Sequence, residues 1–257
     1  MSCPEYWRFE QVSADVLLLI GVAFLLGGMV KGVIGLGFPV VVLALLATTI
    51  GLKEAMALLV IPGIVTNIWQ ALAGGAFVAL VKRLWSLLVA TVVGIWLGVY
   101  VLSMVEPTRL IVVLGILLFL YSVFSLTRTQ IPPPGRHEVW LSPLMGAAGG
   151  FVCGLTGSYM VPGAIYVQAL GLSRDGFIQA IGIVFVVLAA ALGVSFWRYN
   201  LIGLGTGAVS VAALVPMVIG MFVGQRLRYR LSEEVFRRIF FVALLFVGIY
   251  MVGRNLL

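Results

Sequence analysis

The sequence predicts an all-α polytopic membrane protein. Hydrophobic residues make up 62% of the 257 and charged residues only 10%, where a soluble domain carries about 25% charge. The charges are also segregated. Nine uncharged stretches, the first Val16–Val30 and the last Ile239–Gly253, are separated by short charged clusters. Most of them approach or exceed the roughly 20 apolar residues that a bilayer-crossing helix requires. The period-two alternation of a membrane β-barrel is absent. The expected location is therefore a cell (inner) membrane, crossed several times.

A repeat organises these spans. "GGMVKGVIG" (Gly27–Gly35) and "GGFVCGLTG" (Gly149–Gly157) share five of nine positions at an offset of 122. The turns "IGLKEA" at Ile50 and "LGLSRD" at Leu170 follow at an offset of 120, and "GIWLG" at Gly94 and "GMFVG" at Gly220 at 126. Three landmarks in one order divide the chain into homologous halves, 1–126 and 141–257. The polar, proline-rich stretch 127–140, "TRTQIPPPGRHEVW", links them.

Each half opens with a long glycine-broken apolar element and continues with three simple spans. Whether the broken element crosses once or turns back is arbitrated by loop charge, because Lys and Arg favour the cytoplasmic side. With a single crossing, the loop cations divide seven against eight. With a hairpin they divide ten against five, the larger group holding Lys82, Arg83, Arg128, Arg136, Arg174 and the arginines from Arg226 to Arg238. The hairpin is the favoured reading. Each half then crosses an odd number of times, so the repeats are inverted and both termini lie outside the cytoplasm. Inverted repeats around discontinuous helices are a transporter architecture, with the ligand where the breaks meet.

The breaks are the candidate site. Irregular backbone at membrane depth survives only where protein or a wet cavity satisfies it. A half-helix restarting after a break presents free N–H groups, which favour anions. The restarts fall near Gly37–Pro39 and Ser158–Pro162. Gly32, Gly35, Gly37, Gly154 and Gly157 are the candidate backbone positions, since glycine lets a ligand approach closely. Glycines at four-residue spacing also fit helix contacts, and for Gly94/Gly98 and Gly220/Gly224 that packing reading is preferred. Lys31, between uncharged runs of 15 and 21 residues, is the sharpest candidate, because intramembrane charge is costly. The alternative is a lysine snorkelling to an interface. Its counterpart in the second half is Cys153. Thr156, Ser158 and Tyr159 offer hydroxyls to an oxyanion, or equally to their own backbone. Asn67 and Gln70, three apart after Pro62, suit ligand contact or interhelical bonding equally.

Several classes are excluded. The +7 formal charge is loop charge, without the basic and aromatic patch of a nucleic-acid binder. Cys3 and Cys153 have no metal-ligand spacing. No metal site, cofactor or catalytic residue set is expected, and the chain is not read as an enzyme. No cleavable signal peptide is read at the N-terminus. Neither an oligomeric state nor a protein partner is assigned; the partners expected are a small anionic substrate and the lipid bilayer.

The paired elements "GGMVKGVIGLGFP" and "GGFVCGLTGSYMVPG", the "GLKEA" and "GLSRD" turns and the later GxxxG motifs together resemble the sulfite exporter TauE/SafE (TSUP) family from about Asp15 to Leu257. The resemblance implies about eight spans and a secondary transporter, an exporter of small sulfur-containing or organic anions such as sulfite, thiosulfate or sulfonates, working by alternating access. The alternatives in other classes are an anion channel and a non-transporting membrane assembly subunit.

Overall fold

The computed structural model describes residues 13–127, 131–228 and 233–256. Cys3, Arg8, Arg128 and Arg230 lie outside the described residues. Every regular element among the described residues is helical. The first half runs α1 (Ala14–Ile34), α2 (Phe38–Leu46), α3 (Leu52–Leu72), α4 (Phe77–Met104) and α5 (Pro107–Leu126). The second runs α6 (Glu138–Thr156), a wide turn Met160–Ala164 that leads into α7 (Ile165–Ala169), then α8 (Arg174–Arg198), α9 (Leu204–Ala212), α10 (Leu214–Arg228) and α11 (Glu233–Leu256). Among the described residues 8 helical segments are long and apolar enough to cross a membrane, with α9 and α10 forming one of them. The order in each half is therefore long helix, break, short helix, and three further spans.

A turn at Gly135–His137 leads directly into α6 at Glu138. Glu138 sits in the first turn, where the helix dipole favours a carboxylate, and Arg83 of α4 grips it with Nε and Nη2 at 2.7 and 2.8 Å. Arg83 also donates to the Leu170 carbonyl at the end of α7, at 3.0 Å. One guanidinium thus ties α4, α6 and α7 together.

Both breaks are sharp reversals. Gly35 (φ +87) closes α1, its N–H donating to the Lys31 carbonyl at 2.8 Å, and Gly37 (φ +96) opens α2. Side chains disfavour these left-handed angles, so glycine is required. Pro39 follows in the first turn of α2, where its missing N–H costs nothing. α2 then folds back on α1: Gly27 faces Phe38 and Val42, and the Phe24 and Phe38 rings stack edge-on at 5.5 Å. Gly157 (φ +74) ends α6 in the same way, and Gly149 faces Tyr159 and Gly163.

Named contacts fix the helix directions. α3 runs parallel to α1, since Lys31 meets Thr66 and Asn67 while Gly35 meets Gln70. α8 is antiparallel to α3, with Gly182 on Ala71 and Gly193 on Val60. α4 follows α8, from the Ala76–Gln179 hydrogen bond to the Tyr100–Tyr199 ring contact. α6 is parallel to α4, with Gly146, Gly150 and Gly154 against Leu87, Thr91 and Ile95. α6 consequently runs opposite to α1.

Two glycine seams hold this frame. Gly28 and Gly32 of α1 mesh with Gly220 and Gly224 of α10. Gly146, Gly150 and Gly154 of α6 mesh with Gly94 and Gly98 of α4. A Cβ on any of these nine glycines would lie 2.1–2.6 Å from a carbonyl oxygen of the facing helix. The backbones touch, as in small-residue membrane packing. The centre is filled by α2, α3 and α8; Phe38, Leu43, Leu46, Met56 and Leu58 are fully buried. Trp69, Trp85, Trp96 and Trp197 point outward, as expected of a lipid-facing surface.

Pro62 interrupts α3. A proline has no N–H for the carbonyl four residues earlier, here Leu58. Ser210 of α9 fills that vacancy, donating its hydroxyl to the Leu58 oxygen at 2.8 Å. The buried serine and the proline form one structural unit across the two halves.

Candidate functional site

The two reversals meet at a cavity. Its walls are the start of α2 (Phe38, Pro39, Val40), the second break (Gly157, Ser158, Tyr159) and the middles of α3 and α8, with Cys153 of α6. The cavity volume is about 50 Å³, several times the roughly 10–15 Å³ that one water needs. That is room for a small oxyanion.

Most of the wall is apolar, including Met56, Leu59, Phe185 and Leu192. The polar groups are few and specific. Asn67 projects from α3, one turn beyond the Pro62 interruption. Ser158 is held by the reversal, its N–H donating to Thr156 Oγ1 at 3.3 Å. The Ser158 hydroxyl and the Asn67 amide nitrogen have no hydrogen-bond partner among the described residues. The Phe38 and Val40 N–H groups stand in the first turn of α2, where no intrahelical acceptor exists. These donors border one mostly apolar space whose lining includes no carboxylate.

The sequence candidates divide on this geometry. Gly157, Ser158, Tyr159 and Asn67 line the cavity, and Gly37 caps the half-helix that faces it. Lys31 is buried at 5% exposure rather than snorkelling. It stands behind Asn67, donating to Thr66 Oγ1 at 3.0 Å and to Asn67 Oδ1. Tyr159 shares a hydrogen bond with Thr91 at 3.3 Å, and its ring fills the space left by Gly149 and Gly163.

The other candidates have contacts of their own away from this wall. Gly32 and Gly154 lie in the α1/α10 and α4/α6 seams, where their bare backbone admits a neighbouring helix rather than a ligand. Gly35 is a helix cap. Thr156 donates to its own backbone at Val152, 2.8 Å away. Gln70 lies outside the cavity wall and bridges the Gly35 and Ile178 carbonyls at 3.2 and 2.9 Å. Sequence reasoning missed Phe185 and Cys153 as wall residues. Cys153 carried a signal as the partner of Lys31 in the repeat; Phe185 carried none within its uniformly apolar span.

Against known proteins, the chain matches the family described as Sulfite exporter TauE/SafE over residues 19–251, nearly its whole length. No curated protein matches the chain. No solved structure matches it. The match spans both reversals, the cavity and both glycine seams, and the chain belongs to the sulfite exporter TauE/SafE family, whose members are membrane transporters rather than enzymes.

Proposed function

We propose that this transporter moves a small sulfur-containing or organic anion, such as sulfite, thiosulfate or a short sulfonate, by alternating access at the cavity between the two reversals. The observation that carries the reading is the convergence of unpartnered donors, Asn67 and Ser158, with the first turn of α2 in a space of about 50 Å³. Backbone N–H groups and the helix dipole favour an anion there. Within that class the apolar remainder of the wall ranks a monoanion such as a short sulfonate or hydrogen sulfite above the doubly charged thiosulfate, which needs more hydrogen bonds to replace its water. A monoanion with one apolar face is the best fit.

On this reading the halves 1–126 and 141–257 are inverted repeats, with Gly37, Gly157, Ser158, Tyr159 and Asn67 around the ligand. Opposed directions of α1 and α6 support it, as does the approach of Gly63 to Ala189, residues at the same repeat offset as the Gly94 and Gly220 motifs. The ten-against-five division of cations supports a cytoplasmic side next to the α5–α6 connection and an inner cell membrane. Export of a monoanion from a negative interior then gains about 2.3 kcal/mol per 100 mV.

The test is a thermal-shift screen of the purified protein against sulfite, thiosulfate, sulfonates and carboxylates, followed by counterflow in proteoliposomes. A saturable shift with one anion class, and counterflow of the same anion, are expected. A shift that Ser158→Ala weakens several-fold assigns the anion to this cavity. No shift with any of these anions overturns the reading, and flux without saturation or counterflow would make the protein a channel.

A further inference from the structure

We infer that Lys31 is a positioning residue that acts on the anion only through Asn67, rather than by touching it. The inference rests on the substrate site proposed above and adds the device that sets its polarity. Three observations converge on it. Lys31 does not line the cavity, whereas Asn67 does. The ammonium donates to Thr66 Oγ1 and Asn67 Oδ1, and among the described residues no carboxylate pairs with it. The Thr66 hydroxyl proton is committed to the Pro62 carbonyl at 2.7 Å, so Thr66 can only accept from Lys31.

These bonds leave Asn67 one orientation. Its carbonyl oxygen is held by a cation on the α1 side, so its NH₂ group must face the other way. That group has no partner among the described residues, on a side chain only 3% exposed. Without the ammonium, the amide could turn over and present its oxygen to the cavity, which would repel an anion. Lys31 thus acts at one remove: its bond to Oδ1 selects the donating face of Asn67. The Lys31 counterpart, Cys153, lines the cavity directly, so only the first half carries this relay.

The experiment measures concentration-dependent counterflow of methanesulfonate and of sulfite by the full chain in proteoliposomes, with thermal unfolding alongside. Lys31→Met should raise KM about tenfold and change maximal rate less than twofold. Asn67→Ala should raise KM similarly, and the double variant should be no worse than Asn67→Ala alone. Losses that multiply would show that Lys31 acts independently of Asn67 and would overturn the inference. An unchanged KM in Lys31→Met would also overturn it.

Asn67→Asp guards against a variant that fails to fold. The new carboxylate pairs with Lys31, so the protein should unfold at a higher temperature while losing methanesulfonate transport. Retention of wild-type KM in Asn67→Asp would refute the relay. Failure of the underlying site looks different: Ser158→Ala and every Asn67 variant would then behave as wild type.

Discussion

The seam glycines give the most direct stability prediction. Adding one methyl group at Gly220 places a Cβ 2.1 Å from the Leu25 carbonyl oxygen and 3.0 Å from the Met29 nitrogen. An ordinary carbon–oxygen contact is about 3.3 Å or more, so α1 and α10 must separate by roughly 1 Å. A gap of that size forfeits about a quarter to a half of each dispersion contact along the seam. Overpacking of this kind costs about 1–3 kcal/mol. At Gly21, on the same α1 helix, an added Cβ would have nothing within 4 Å. Gly21→Ala should gain up to about 1 kcal/mol from helix propensity. Reversible unfolding of the two variants in mixed detergent micelles should therefore place them on opposite sides of wild type, separated by about 1–4 kcal/mol. Equal stability of Gly220→Ala and Gly21→Ala would refute close backbone contact as the basis of the seam.

Three further outcomes follow from the same contacts. Ser210→Ala strands the Leu58 carbonyl and should cost about 0.6–1.7 kcal/mol, the range for hydrogen bonds between membrane helices. In a Pro62→Ala background that cost should nearly vanish, because residue 62 regains the N–H that Leu58 lacks; an unchanged cost in the double-mutant cycle would break the link. Cys153 lines the cavity, so in a Cys3→Ser background its reaction with a small maleimide should slow several-fold when methanesulfonate is present. Labelling at the same rate with and without the anion would place the ligand elsewhere. Gly157→Ala must adopt φ near +74 and meets Met56 at 2.8 Å, so it should lose transport and stability together, by about 1–3 kcal/mol; wild-type unfolding would contradict the required reversal.

Much of the architecture was legible because it is written in residue types with few alternatives. Long uncharged runs can be little else than membrane helices, and Gly37 followed by Pro39 marks a restart. The reversals left two traces in the sequence, the glycines themselves and a loop-cation distribution that favours a chain that turns back. What could not be read was which glycine serves which purpose. Gly32 and Gly35 are three residues apart in one motif, yet one admits α10 and the other bends the chain. That difference depends on which face of α1 meets a partner far away in sequence. Lys31 shows the same limit: its burial followed from its neighbours in sequence, but the choice of Asn67 as intermediary required the parallel packing of α1 on α3. The apolar wall was silent for a related reason. In a span such as Gly176–Trp197 nearly every residue is hydrophobic, so facing lipid, core or ligand leaves no mark on composition.

On the proposed repeat the two halves share a scaffold and differ in chemistry, and the difference bears on turnover. A transport site must bind well enough to collect its ligand and weakly enough to release it. A lysine at both Lys31 and Cys153 would put two basic side chains beside one small cavity. Their fields would add in a region of low dielectric, where each is worth far more than in water. The anion would be held more tightly in every conformation, and release would slow. One lysine held behind an amide, with Cys153 in the opposite position, gives a site whose charged end is fixed and whose other end is neutral. A Cys153→Lys substitution should accordingly lower KM and lower maximal rate together. A rise in maximal rate would show that binding, rather than release, limits transport.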